Sequence, residues 1–242
     1  MLLRRLLCVL VVFVGIGVAQ AATTPLYTDT KNLPNETVVT LNLPKFDASS
    51  ISVGPGQWVE LTGVLVDFEV RLSDARVQLD NDSEYAQGGT AYVINTPQSF
   101  ASSVTLLKTD FSTINLGDFG ITSSEDFDLD PTTGDAVGQF NATGLGDYAN
   151  WEPGTITAGN GGNISNLVWG NYLGTGDFQV SINALYLTSA TFKGELGYFE
   201  GNTPTGTFYG AVQYSYVIVP EPMTLSLVGL GALALFRKRR SV

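Results

Sequence analysis

Histidine is absent from this 242-residue chain, and cysteine occurs once, as Cys8. The first absence excludes Ser-His-Asp and Cys-His catalysis, His-ligated zinc and an imidazole switch near neutral pH. The second excludes an intrachain disulfide and a cysteine metal cluster. Positive charge is scarce as well: 12 Lys and Arg stand against 23 Asp and Glu, a formal net charge of −11. Nucleic acid demands a basic surface, so it is not an expected partner. No long apolar stripe of 3.6-residue period runs through the body of the chain, which argues against a helical domain.

What is present begins at the ends. Arg4-Arg5, the apolar run Leu6–Val18 and the small-x-small triplet Ala19-Gln20-Ala21 have the form of a signal peptide over residues 1–21, with cleavage after Ala21. Cys8 lies inside that run and would leave with it. The other end has three ordered parts: Pro220-Glu221-Pro222, an apolar run Met223–Phe236, and the basic group Arg237, Lys238, Arg239 and Arg240. A helix over the apolar run is about 21 Å long, short of the ~30 Å hydrocarbon core. The cations after it stop translocation and stay cytoplasmic.

This tripartite end, residues 220–242, resembles the PEP-CTERM sorting signal of Gram-negative bacteria. The resemblance implies recognition by an exosortase-type membrane transpeptidase and removal of the tail near Pro-Glu-Pro. It also implies a transient inner-membrane tether, then a place at the cell surface or in an exopolysaccharide matrix or biofilm. An ordinary single-span tail anchor is the alternative. Without the two ends, residues 22–219 keep six cations against 22 acids, a net charge of −16. Such a body is soluble and repels anionic polymers unless divalent cations bridge them.

The body reads as one all-β domain. Val64, Val66, Phe68, Val70 and Leu72 alternate with Leu65, Asp67, Glu69 and Arg71, the pattern of a half-buried antiparallel strand. Before Gly63 the apolar phase is odd (Val59, Leu61); after it the phase is even, which marks Gly63 as a β-bulge. Phe178 to Tyr186 and Val212 to Ile218 alternate likewise. Further strands are expected near Thr37–Leu43, Arg76–Leu79, Ala91–Ile94, Val104–Lys108, Val137–Ala142, Ala190–Leu196 and Thr207–Tyr209. Their number and spacing predict a single antiparallel β-sandwich, jelly-roll-like, over residues 22–219. A β-helix is the alternative, but no fixed repeat period supports it. Trp151–Gly176, rich in Gly and Asn, is expected to be a long loop.

The segment Thr40-Leu41-Asn42-Leu43-Pro44-Lys45-Phe46-Asp47, the strand over Leu61–Leu72 and the closing Val212-Gln213-Tyr214-Ser215-Tyr216 give the body a family look. Together they resemble the choice-of-anchor E domains, exported bacterial domains carried on interchangeable surface anchors. That family has no established catalytic residues, so the resemblance transfers none.

Three chemistries remain to be weighed. Asp126, Asp128 and Asp130 have the spacing that opens a calcium loop. Pro131 and Val137 stand where an EF-hand needs Gly and Glu, and the plainer reading is a strand edge with Phe127 and Leu129 inward. The second acidic run, Asp80-Asn81-Asp82-Ser83-Glu84, reads as a solvated turn that a cation could also use. Calcium is thus the one candidate cofactor. Trp151 and Trp169 flank the Gly/Asn-rich stretch and are candidate stacking platforms for carbohydrate, with core filling as the alternative. A glycosidase needs a facing carboxylate pair, and 22 acids supply close pairs by chance, so the chain is read as non-catalytic. The Asn-x-Ser/Thr triplets at Asn35, Asn81, Asn141 and Asn163 are assigned no role.

Overall fold

The computed structural model describes residues 19–132, 146–194 and 197–220. Strands make up 63% of the described residues. They are β1 (Gln20–Thr23), β2 (Tyr27–Leu33), β3 (Val39–Pro44), β4 (Gln57–Ser73), β5 (Val77–Asp80), β6 (Gln87–Ser102), β7 (Ile121–Leu129), β8 (Tyr148–Trp151), β9 (Ile156–Asn163), β10 (Asp177–Phe192), β11 (Tyr198–Gly201) and β12 (Thr205–Pro220). Helix among the described residues is limited to three short 3₁₀ turns. The domain is therefore all-β, and its strand ladders are antiparallel.

One sheet runs β1-β12-β4-β9, with β2 following β1 along the same edge of β12. A second runs β3-β10-β6-β7, and a small third runs β11-β5-β8. The even residues Val64 to Leu72 of β4 are buried, as are Phe178, Val180, Ile182, Ala184 and Tyr186 of β10. These rows join in one core cluster, where Phe68 of β4 meets Phe100 of β6 edge-on at 6.4 Å between ring centres. Val77, Leu79, Ala91 and Leu129 form a second, smaller cluster beneath the third sheet.

The bulge at Gly63 is present. Ser215 pairs with Gly63 and the next residue, Tyr216, pairs with Leu61, so Thr62 is the extra residue. The phase change follows: Val59 and Leu61 point toward the core before the bulge, and Val64 and Val66 after it.

Other expectations need correction. The stretch Trp151–Gly176 is not one long loop: β9 lies within it and pairs with β4 from Leu65 to Leu72. Its sequence, Ile-Thr-Ala-Gly-Asn-Gly-Gly-Asn, lacks the branched and aromatic residues by which strands are recognised. Here glycine is a packing requirement. A Cβ on Gly159 would stand 2.9 Å from Glu69 Cα, and one on Gly161 2.8 Å from Asp67 Cα. Val104–Lys108 is no strand either. It forms only single bridges, Leu107 with Thr113 and Lys108 with Ile164, because the chain turns back at Asp110. The two expected strands at 178–186 and 190–196 join as β10, which runs to Phe192, and those at 207–209 and 212–218 join as β12. Val137–Ala142 lies outside the described residues.

The two large sheets are tied by buried phenols. Tyr186 on β10 donates its hydroxyl to the carbonyl of Leu33 at the end of β2, 2.9 Å away. Tyr214 on β12 donates to the carbonyl of Pro44 at the end of β3, at 2.7 Å. Each bond crosses from one sheet to the other, in opposite senses. Tyr172 donates likewise to Thr105 at 3.0 Å. The chain crosses between the sheets at Asn35, whose carboxamide receives the Tyr186 amide at 2.7 Å and donates to the Tyr186 carbonyl at 3.2 Å.

Burial pushes all three phenols well above their ordinary range. Because the folded value exceeds the unfolded one, stability is intact below about pH 10 and is lost as pH rises through the folded values. The melting temperature should therefore begin to fall above about pH 10. The fall should be shallower for Tyr214→Phe, measured by thermal denaturation across the alkaline range. Equal slopes in the two proteins would refute this account.

Candidate functional site

Strand β7 carries the acidic run. It is the outer strand of its sheet, paired only with β6. Asp126, Asp128 and Asp130 are exposed, while Leu129 is buried and Phe127 half-buried. Alternate residues of a strand stand about 7 Å apart, so the three carboxylates are strung along an edge and do not converge. Asp126 accepts a hydrogen bond from the Thr90 hydroxyl of β6 at 2.6 Å. Among the described residues no three acidic side chains are gathered as a metal centre requires. The row of charges does suit an unpaired edge, which it protects from pairing with another chain.

The second acidic run departs from the solvated turn expected of it. Asp80 and Asn81 are fully buried, and Asp82 is 7% exposed. Asn81 sits at the centre. Its side-chain amide donates to the carbonyls of Tyr85 at 2.9 Å and Asp130 at 2.6 Å, and its side-chain oxygen accepts from the Ser83 amide at 2.9 Å. Its backbone amide donates to Asp147. The side chain thus fastens the 81–85 turn to the end of β7, and the backbone amide of the same residue fastens it to the segment just before β8. The sequence offers only turn composition here; the burial comes from the third sheet folding over β6.

Trp151 and Trp169 do not share a cleft. Trp151 ends β8 and packs against both core clusters. Trp169 donates its indole N–H to the Ile164 carbonyl at 2.9 Å and lies half-buried against the main core. It does line a shallow apolar groove of about 400 Å³ with Phe111, Leu167, Thr109, Ser165 and Asn166. Phe111 is 71% and Leu167 72% exposed. Phe111 also has φ of 65°, a left-handed conformation that bulky residues rarely adopt. The turn that imposes it is closed by Lys108–Ser112 and Phe111–Lys108 backbone bonds and by Asp110, which accepts from the Ser112 amide and hydroxyl. Those two bonds hold the Asp110 carboxyl below the usual carboxylate range.

A second concavity lies elsewhere, at one end of the large sheets, and no motif read for its chemistry in the sequence signals it. It measures about 430 Å³ and lies between the β1–β2 turn, the segment after β3 and the loop before β10. Phe46 and Tyr214 line it, with ring centres 5.5 Å apart, and Tyr216 is 5.6 Å from Phe46. Tyr27, Lys45 and Asp177 also line it.

At the positions expected to be processed, Ala19 and Ala21 are exposed, and Ala21 pairs with Val217. Pro220 ends β12 opposite Gln57. The apolar signal segment and the remaining sorting residues, Glu221, Pro222, Arg237, Lys238, Arg239 and Arg240, lie outside the described residues. Among the described residues no helix is long and apolar enough to cross a membrane.

No family model and no curated protein matches the chain. Among solved structures it is similar at 8% identity and a TM-score of 0.14 to one titled infectious bursal disease virus Gx strain, covering 87% of this chain and 44% of that one. Infectious bursal virus derived T=1 particles give 10%, 0.16, 85% and 41% in the same order. The parasporin-2 toxin of Bacillus thuringiensis gives 9%, 0.11, 85% and 73%. The chain spans less than half the length of these viral proteins, and overlaps this poor carry no argument about fold or function.

Two substitutions test the local analysis. Asn81→Ala removes three side-chain hydrogen bonds inside a buried turn and should cost about 2–3 kcal/mol, read by urea denaturation. A loss under about 0.5 kcal/mol would contradict the clamp. Phe111→Asn places a residue that tolerates the left-handed region and should raise stability by roughly 1 kcal/mol. A drop instead would mean that the ring's packing outweighs its backbone strain.

Proposed function

We propose that this chain is an exported, non-catalytic surface or matrix protein of a Gram-negative bacterium. Its body is a β-sandwich of jelly-roll type, sorted through its C-terminal tail by an exosortase-type transpeptidase into an exopolysaccharide layer. The strand orders support the architecture. Numbered in sequence, the eight principal strands β2, β3, β4, β6, β7, β9, β10 and β12 pair as first-eighth-third-sixth in one sheet and second-seventh-fourth-fifth in the other. That wrapping of paired strands is the jelly-roll order.

The observation that carries the sorting reading is the way the chain leaves the body. β12 is an inner strand, held by β1 and β2 on one side and by β4 on the other. It stays paired up to Pro220, the first residue of the Pro-Glu-Pro motif. Cleavage after that point removes no strand of the described residues, so the pairing of the body is left as it stands. A processing enzyme at the membrane meets its motif directly beside a rigid body.

Glu221→Ala in the full chain, expressed in a host that has the transpeptidase, should block tail removal and hold the protein in the inner-membrane fraction. Fractionation with mass spectrometry of the C-terminus reads this out. Release of an unprocessed or normally trimmed variant at wild-type level would sink the sorting reading.

A further inference from the structure

We infer that the cleft between the β1–β2 turn and the segment after β3 is a binding site for an uncharged saccharide. The inference shares with the proposed function only the expectation of a polysaccharide surrounding; the argument rests on the cleft itself.

The polar groups of the cleft fall into two sets. Some are already used within the fold. The Tyr214 hydroxyl is given to Pro44, the Thr24 hydroxyl to Pro25, and the Asp47 carboxylate accepts from the Ser49 amide and hydroxyl. The others have no protein partner among the described residues: the hydroxyls of Tyr27 and Tyr216, the Lys45 ammonium and the Asp177 carboxylate. They are donors and acceptors gathered on one concave surface and left available.

The backbone fixes these groups in place. Asp177 is paired with Pro44 in the β10–β3 ladder, and the Lys45 amide donates to the Gly176 carbonyl at 2.9 Å. A cation and an anion therefore rise from adjacent registers of one wall, yet neither joins an ion pair among the described residues. Tyr27 stands at the start of β2 and Tyr216 on β12, each half-buried and each packed against the main core. The Thr24 amide bonds to the Tyr214 carbonyl, and the Tyr214 amide bonds back to the Thr24 hydroxyl, which secures the turn between β1 and β2.

The chemistry selects the ligand. The half-buried rings of Tyr27 and Tyr216 can take up the C–H face of a sugar ring, and phenol, ammonium and carboxylate groups take up hydroxyls as donor and acceptor. Asp47 keeps its charge, because its two bonds come from neutral donors, so Lys45 against Asp47 and Asp177 leaves the cleft lining at −1 and unfavourable to an anion. The surrounding body, at −16 over residues 22–219, repels polyanions. An uncharged glycan satisfies both conditions. The volume of about 430 Å³ falls in the roughly 300–1,000 Å³ range of small-ligand sites.

The test is binding of the full chain to immobilised neutral polysaccharides (glucans, mannans and galactans) beside uronate-containing polymers. The expected result is binding to at least one neutral polymer, weakened about tenfold or more by Asp177→Asn and by Tyr27→Phe. Both variants should melt within about 2 °C of the parent. Leu167→Ser, in the separate apolar groove, should bind as the parent does, and so should Glu221→Ala, which separates this inference from the sorting reading. Absence of binding to every neutral polymer would overturn the inference. So would preference for uronate polymers, indifference to both cleft variants, or loss of binding in Leu167→Ser.

Discussion

Two buried phenol hydrogen bonds, Tyr186 to Leu33 and Tyr214 to Pro44, fix how the two large sheets lie on one another. Apolar contact between the sheets supplies most of the driving force, but it is non-directional and would tolerate a slip. A phenol inside that contact does not. Its hydroxyl must reach an acceptor or forfeit its hydration, and here each acceptor is the terminal carbonyl region of an outer strand in the opposite sheet. The sheets are thereby pinned at β2 and β3, where the chain passes from one to the other. Gly206 is part of the device. A Cβ there would stand 2.5 Å from the Leu33 carbonyl oxygen, so the inner strand β12 gives up a side chain to let the bond form. Asn35 adds the third point, copying a strand's hydrogen bonds onto Tyr186 with its own side chain. The sequence shows Asn35 as a glycosylation-like triplet; its amide is instead a structural hinge pin.

The long strands were legible because each buries one face only. Strict alternation from Val64 to Leu72 and from Phe178 to Tyr186 leaves little choice of period, and the change of phase at Gly63 located a bulge to within one residue. What escaped had other causes. β9 is a strand by virtue of backbone approach to β4, and glycine, which permits that approach, is also what conceals a strand from any pattern of side chains. Val104–Lys108 alternates like a strand, but Val104 and Leu106 are buried by a loop crossing the end of the core, not by a ladder. The cleft beside Tyr27 was illegible because its residues come from four separate stretches of sequence. Nothing local marks Lys45 or Asp177 until the β3–β10 register brings them together.

The acids also sort by position. Along β7 they face water and guard an edge; on β4, Glu69 is paired bidentately with Arg71, and Arg71 lies over the Tyr209 ring at 5.3 Å. At the 80–82 turn they are buried and knit into the fold around Asn81. Composition alone counts all of these as one negative charge density. The structure separates an acidic outer surface, on which like charges repel, from a small internal group whose place depends on the third sheet. The cleft lined by Lys45, Asp47 and Asp177 is set apart from both.

The two ends of the body meet on one edge. β1 pairs with Ser215–Ile218, the last stretch of β12 before Pro-Glu-Pro. Cleavage after Ala21 would cut β1 in its middle, taking Gln20 and Ala21 from opposite Ile218 and Val217 and leaving Ala22 and Thr23 against Tyr216 and Ser215. The final residues of β12 would then be held by β4 alone, and their outer edge would be open. The Thr24–Tyr214 bonds lie inside that cut, so the opening would stop short of the cleft and of the phenol pin at Tyr214. Such a cut would thus uncover backbone only beside Pro220, while the contacts that set the sheets would remain closed.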